Sequence, residues 1–262
     1  MNKRFGDVEV RLESGHVATV ELRRPPNNFF DEALIDSIAS AYEWLDDEPQ
    51  CRAIVLAAEG KHFCAGADFS SSTRQATVDR DPDAEHPLYR HAVRLFATAK
   101  PVVAAVQGAA VGGGFGLALS ADFRFASPSA RFTANFVKLG FSPGFGLTHT
   151  LPRLVGEQAA LDLLLTGRRV AGDEAATLGL VDRLVDADAL RDEALAYARS
   201  IAENAPLALL SVRRSLRGDL AAAVKVATDH EAREQHRLQQ TDDHREGVQA
   251  VAERRPGNFS GR

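Results

Sequence analysis

The chain has 262 residues, 45% hydrophobic and 26% charged, proportions of a soluble globular protein with one sizeable core. Its net charge of -5 provides no basic field to neutralise phosphates, which excludes nucleic acid as the main partner. Cys51 and Cys64 are too few and too isolated for a disulfide framework or a zinc site. No apolar run is long enough to span a bilayer and no signal-like region opens the chain, so no membrane partner and a cytoplasmic location are expected.

Residues 8–22 form two alternating runs hinged at Ser14-Gly15, the signature of a β-hairpin. After a turn at Pro25-Pro26-Asn27-Asn28, Asp31 is placed to cap a helix whose apolar stripe is Leu34, Ile35, Ile38, Ala41, Tyr42 and Leu45. Residues 52–58 read as a buried strand. His62 to Phe69, HFCAGADF, forms a tight loop of small residues. The polar segment 70–85, carrying Asp79, Asp81, Asp83 and Glu85, reads as a solvated, mobile surface stretch. Leu88 to Ala99 is an amphipathic helix.

Pro101 to Ala126, PVVAAVQGAAVGGGFGLALSADFRFA, is the centre of the chain. Val102 to Val106 has the composition of a strand buried on both faces, and Phe115 to Ala121 that of a buried helix. Between them lie Gly108, Gly112, Gly113 and Gly114, an arrangement that collects unpaired backbone N–H groups at a helix start. The GK[ST] ending of a phosphate loop is missing, and GxxxGGGxG is not the G-x-G-x-x-G of a dinucleotide site. Two readings stay open: a backbone oxyanion hole, or close helix–strand packing with no ligand.

Further on, residues 130–146 hold a strand-like start and a glycine- and proline-rich turn, and 148–154 and 158–165 are helical. Asp173 is expected to cap a short helix before a strand at 181–185. Residues 187–251 are helical almost throughout, with Pro206 and Gly218 as interruptions. An α/β core over residues 1–190 and a helical region over 191–262 are expected.

HFCAGADF, GAAVGGGFGLALSADFRFA, LTGRRVAGDEAATLGLVDRLV and TDDHREGVQAVAERRPGNF, in this order and spacing, resemble the enoyl-CoA hydratase/isomerase (crotonase) superfamily. The resemblance covers essentially the whole chain. It implies an α/β fold, a crotonase-like spiral of repeated ββα units, with a C-terminal helical region that builds a homotrimer or a hexamer. It further implies an acyl-CoA thioester as ligand, a lyase or isomerase reaction, and no separate cofactor, coenzyme A being part of the substrate. The family's two oxyanion-hole amides fall on Ala67 and Gly113. Asn27, Ala65, Asp68, Phe69 and Gly112 would line the substrate path, and Arg254 and Arg255 are either phosphate contacts or a solvated tail.

The chain departs from the family where hydration requires two glutamates, at Gly116 and Phe136. General acid–base groups are each worth roughly 10²–10⁴-fold, so efficient water addition is not expected. His62, His86, Tyr89, His91 and His149 are the substitute acid/base candidates, whereas Asp68 and Asp122 read as structural. A reaction needing chiefly the oxyanion hole, such as decarboxylation of a malonyl-type thioester, fits best. A catalytically silent acyl-CoA-binding protein is the alternative, and the glycine spacing disfavours a nucleotide-dependent oxidoreductase.

Overall fold

The computed structural model describes residues 2–67 and 85–262. β1 (Asn2–Phe5), β2 (Val8–Leu12) and β3 (Val17–Leu22) form an antiparallel meander, hinged where the sequence predicts. From β3 onward the sheet is parallel, joining β4 (Ala53–Ala58), β5 (Val102–Val106), β7 (Phe123–Ala126) and β10 (Arg183–Leu184) in the order β1-β2-β3-β4-β5-β7-β10. A second sheet holds β6 (Ala109–Val111), β8 (Arg131–Thr133) and β9 (Arg169–Ala171). The spiral arises because β5 feeds β6 and β7 feeds β8. Each pair places its first strand in the large sheet and its second in the small one before the chain turns helical.

Helices cover both faces of the large sheet, which is why β4 and β5 read as unbroken small and apolar runs, and why β3, though alternating in sequence, is buried at every position, Thr19 and Glu21 included. On one side α1 (Glu32–Asp47) buries its predicted stripe, and the Asp31 carboxylate accepts the Leu34 amide at 2.8 Å as its cap. α2 (Pro87–Ala97) and the short α3 (Gly113–Ser120), buried at every position, share this core. On the other side Val17, Val55, Val103 and Phe125 pack on Leu190, Ala194, Ala198 and Ala202 of α7 (Leu190–Ala202).

The helices α4 (Leu147–Val155), α5 (Glu157–Thr166) and α6 (Gly172–Thr177) follow the second sheet's strands. The C-terminal helical stretch then divides in use. α7 is the back layer of the sheet, whereas α8 (Pro206–Arg217) contains no buried residue. α9 (Leu220–Gln239) and α10 (Asp242–Glu253) pack on α2 and α4 and on the 3₁₀ segment Asn135–Leu139.

Three local expectations are corrected. Residues 109–111, read as part of the glycine turn, are a strand, because β8 pairs with them in parallel. Asp173 lies inside the first turn of α6 rather than at its cap, which is Ala171, so its carboxylate favours the helix only through the dipole. The strand expected over 181–185 contracts to Arg183–Leu184 at the sheet edge.

Candidate functional site

The site begins where β6 ends. Gly112 has φ +54° and ψ -119°, a backbone conformation open to glycine alone. Its N–H donates to the Thr133 carbonyl on β8 at 2.8 Å, and its carbonyl accepts the amides of Phe115 and Gly116. The chain thereby turns directly from strand into α3. The Gly113 and Gly114 amides lie in the first helical turn, and neither has a hydrogen-bond acceptor among the described residues.

The loop after β4 runs beside this turn. Cys64 pairs with Ala110 as in a parallel sheet: its N–H donates to Ala109 O at 2.9 Å and its carbonyl accepts Val111 N at 3.0 Å. The loop then reaches Ala67, which Phe30 connects to the glycine turn. Burial pushes the Cys64 thiol up to about 12, so it packs as a small apolar group. Phe30 ties both strands together. Its backbone bridges to Ala67, with Phe30 N donating to Gly66 O, while its ring lies so close to Gly113 that a methyl group there would sit 2.2 Å from the ring Cζ.

Asn27 contributes through its backbone, its carbonyl accepting the Ala65 amide at 2.9 Å. The adjacent Asn28, which sequence reasoning took only for part of a turn, is the organiser of this corner. Fully buried at φ +48°, it donates from Nδ2 to Glu59 O at 2.8 Å and His62 O at 2.7 Å, and accepts Arg24 N at 3.0 Å. Asparagine after a proline pair was the available signal, since its side chain tolerates the left-handed region. Asp68 and Phe69 lie outside the described residues.

Phenylalanines crowd the far side of the glycine turn. Phe136 is buried, its ring 3.7 Å from where a methyl group on Gly112 would sit and edge-on to Phe141 with centroids 5.6 Å apart. Gly116 faces Phe145: a methyl group there would lie 2.7 Å from both Cβ and Cδ1 of that residue. Phe145 is buried at φ +62° and meets Phe30 edge-on at 6.0 Å.

The C-terminal helices hold these phenylalanines from behind. Buried Glu231 of α9 accepts Gly146 N at 2.8 Å, Thr148 N at 3.0 Å and Thr148 Oγ1 at 2.5 Å. Burial raises its pKa above the ordinary carboxylate value, opposed by these bonds. Gln235 donates to Ser142 O at 3.0 Å and accepts the Tyr89 hydroxyl at 2.7 Å. On α10, His244 lies edge-on to Phe141, and its Nδ1 pairs with Leu139 O at 2.8 Å. Sequence reasoning missed Glu231, Gln235 and His244, and took Tyr89 only for an acid/base candidate. The signal was present in the buried face of α9, where Val224, Thr228, Glu231 and Gln235 put three polar side chains on the stripe that should be apolar.

The acid/base candidates are not gathered in one place. His62 Nδ1 accepts the Ala109 amide at 3.2 Å, which makes it the unprotonated nitrogen of a backbone brace, and burial lowers its pKa. His91 lies among Asp36, Glu32 and Arg94 at the α1–α2 contact. His86 starts α2 and stacks on Tyr89, whose phenol burial pushes far up, keeping it a neutral donor. His149 lines a separate cavity of about 160 Å³ with Arg153, Arg214 and Asp219, remote in lining from the glycine turn. Asp122 is structural: it accepts Val102 N at 2.7 Å and Arg213 Nε at 3.0 Å, and pairs with Arg217. Arg255 is committed to Glu246 and Glu253, while Arg254 ends α10 in the left-handed conformation.

Residues 13–262 match the enoyl-CoA hydratase/isomerase family model. The chain is 34% identical to the (E)-benzylidenesuccinyl-CoA hydratase of Thauera aromatica, over 96% of this chain and 99% of that protein. It is 31% identical to the mitochondrial enoyl-CoA hydratase of Pongo abelii, over 96% of this chain and 86% of that one. Among solved structures, an enoyl-CoA hydratase/isomerase from Pseudoalteromonas atlantica superposes with a TM-score of 0.86 at 29% identity, covering 97% of this chain and all of the other.

Proposed function

The chain belongs to the enoyl-CoA hydratase/isomerase family, and from that premise we propose that it binds an acyl-CoA thioester and stabilises its enolate with the amides of Ala67 and Gly113. Charge that develops on the thioester oxygen is best met by preorganised N–H donors in a water-poor site, which removing one donor typically weakens by roughly 10²–10³-fold in rate. The observation that carries the reading is the Gly113 amide at the start of α3, which has no acceptor among the described residues and lies beside the ring of Phe30, whose backbone bridges to Ala67.

The reaction is one that needs no carboxylate at 116 or 136. Both positions border apolar rings, Phe145 and Phe136, where a reacting water would find no partner. Decarboxylation of a malonyl-type thioester meets this condition. The bond from Cα to the carboxylate breaks, carbon dioxide leaves, and the electron pair passes into the enolate whose oxygen the two amides hold. A proton from solvent then completes the saturated acyl group. A relative named for a benzylidene-substituted thioester supports an aryl or other flat apolar substituent.

Oligomerisation through the C-terminal region belongs to the same reading. α8 exposes Leu207, Val212 and Leu216 and buries nothing in the single chain, which supports assembly of copies on that surface.

The test sets two assays side by side: loss of enoyl-thioester absorbance with crotonyl-CoA, and carbon dioxide release from malonyl-type and arylmalonyl thioesters. Near-zero hydration with measurable decarboxylation is expected, and Gly113→Pro, which removes the amide, abolishes it. Brisk hydration overturns the reading of the reaction. Tight thioester binding without any turnover would identify a binding protein instead.

A further inference from the structure

We propose that Glu231, on a C-terminal helix outside the glycine turn, is the positioning residue of the acyl-facing wall. It fixes Phe145 against Gly116 and so makes the pocket selective for flat apolar acyl groups. The proposal rests on the reading of the site as an acyl-CoA pocket.

Three hydrogen bonds from α9 hold one turn. Gly146 N and Thr148 N bond the Glu231 carboxylate, and Ser142 O takes Gln235 Nε2. The turn they hold is an unfavourable one. A bulky residue at φ +62° is sparsely populated and persists only where its surroundings over-determine it. Gly144 admits the Tyr89 hydroxyl so closely that a methyl group there would fall 2.0 Å from it, so the turn has no room to shift toward α2. The consequence is steric. Phe145 occupies the volume that any side chain at Gly116 would need, and with Phe30 it closes the helix side of the glycine turn with aromatic rings. A carboxylate buried beside that turn, with its oxygens taken up by two of the turn's amides and a hydroxyl, serves to aim the ring rather than to exchange protons with substrate.

The experiment compares wild type with Glu231→Gln, Thr148→Val, Phe145→Gly and Gly116→Ala in the intact oligomer. Binding of coenzyme A and of phenylacetyl-CoA is measured by calorimetry, and melting temperature is followed alongside. Glu231→Gln should weaken phenylacetyl-CoA about tenfold and leave coenzyme A within about twofold, because only the former reaches the wall. Gly116→Ala should lower the melting temperature by about 3–6 °C in the wild-type background, by less beside Glu231→Gln, and by under about 1 °C beside Phe145→Gly. Equal loss of both ligands, or the same cost of Gly116→Ala in every background, overturns the proposal. If the wild type binds neither ligand, the acyl-CoA reading and its selectivity clause fail. The melting series then still decides whether Glu231 positions Phe145. If Glu231→Gln does not fold, Thr148→Val, which removes a single hydroxyl donor, carries the same prediction at smaller amplitude.

Discussion

Phe145 and Gly116 share one volume: the aromatic side chain lies where a β-carbon on residue 116 would have to be. Restoring the family's carboxylates by Gly116→Glu with Phe136→Glu is therefore not a two-site problem. We expect that double variant to be poorly folded and without crotonyl-CoA hydration. Adding Phe145→Gly, which suits the left-handed backbone and empties the volume, should recover folding and allow hydration to appear. The measurement is enoyl-thioester absorbance on the purified variants, with circular dichroism to report folding.

Gly112 combines φ +54° with ψ -119° and has open space where a methyl group would go, its nearest neighbour being Phe136 at 3.7 Å. The cost of Gly112→Ala is thus conformational rather than steric. It should destabilise by about 1–3 kcal/mol in urea unfolding, and a comparable loss from a clash is excluded by the room available.

Asn28→Ala removes three hydrogen bonds at a fully buried position. His62 O retains Gln107 Nε2 at 3.3 Å, but Glu59 O and Arg24 N lose the Asn28 side chain. A loss of about 2–4 kcal/mol is expected, together with weaker thioester binding, because the same corner carries the loop to Ala67. Chemical denaturation and ligand titration read the two effects separately.

Glu231 contributes a pH dependence of definite sign. Its folded pKa is raised above 4.5, chiefly by burial, so the folded state binds its proton more tightly than the unfolded chain does. The resulting stabilisation is complete below pH 4.5 and is lost as pH rises through the folded pKa. Measured against Glu231→Gln, the wild type should have its greatest relative melting temperature in mild acid and lose ground toward neutrality. A flat difference across that range would contradict the assignment.

On α8, Leu216 is 73% exposed and Leu207 80% exposed in the single chain. The assembly proposed through α8 predicts that the wild type runs larger than one chain in light scattering and that Leu216→Glu runs as a monomer, with the circular dichroism unchanged, since no buried contact within the chain is altered.

What the sequence determined by itself was local or periodic. The hairpin at Ser14-Gly15, the Asp31 cap with its stripe, and the doubly buried strands are dictated within a few residues of one another. The glycine turn at 112–114 was legible for the same reason: an unpaired amide at a helix start follows from the chain's own geometry. That Gly116 and Phe136 are not carboxylates is equally plain from the sequence, while their place among the catalytic positions is what the resemblance implies. Tertiary structure alone decided what fills those positions. Phe145 reaches Gly116 through a left-handed turn whose hydrogen bonds come from Glu231 and Gln235. Polar residues on a helix face read as an imperfect stripe until a distant turn supplies the amides that pair with Glu231 and the carbonyl that pairs with Gln235. Propensity and periodicity act over one or two turns of chain, whereas the packing of Glu231 beneath residues 146–148 joins segments more than 80 residues apart. That relationship exists only once the spiral has closed.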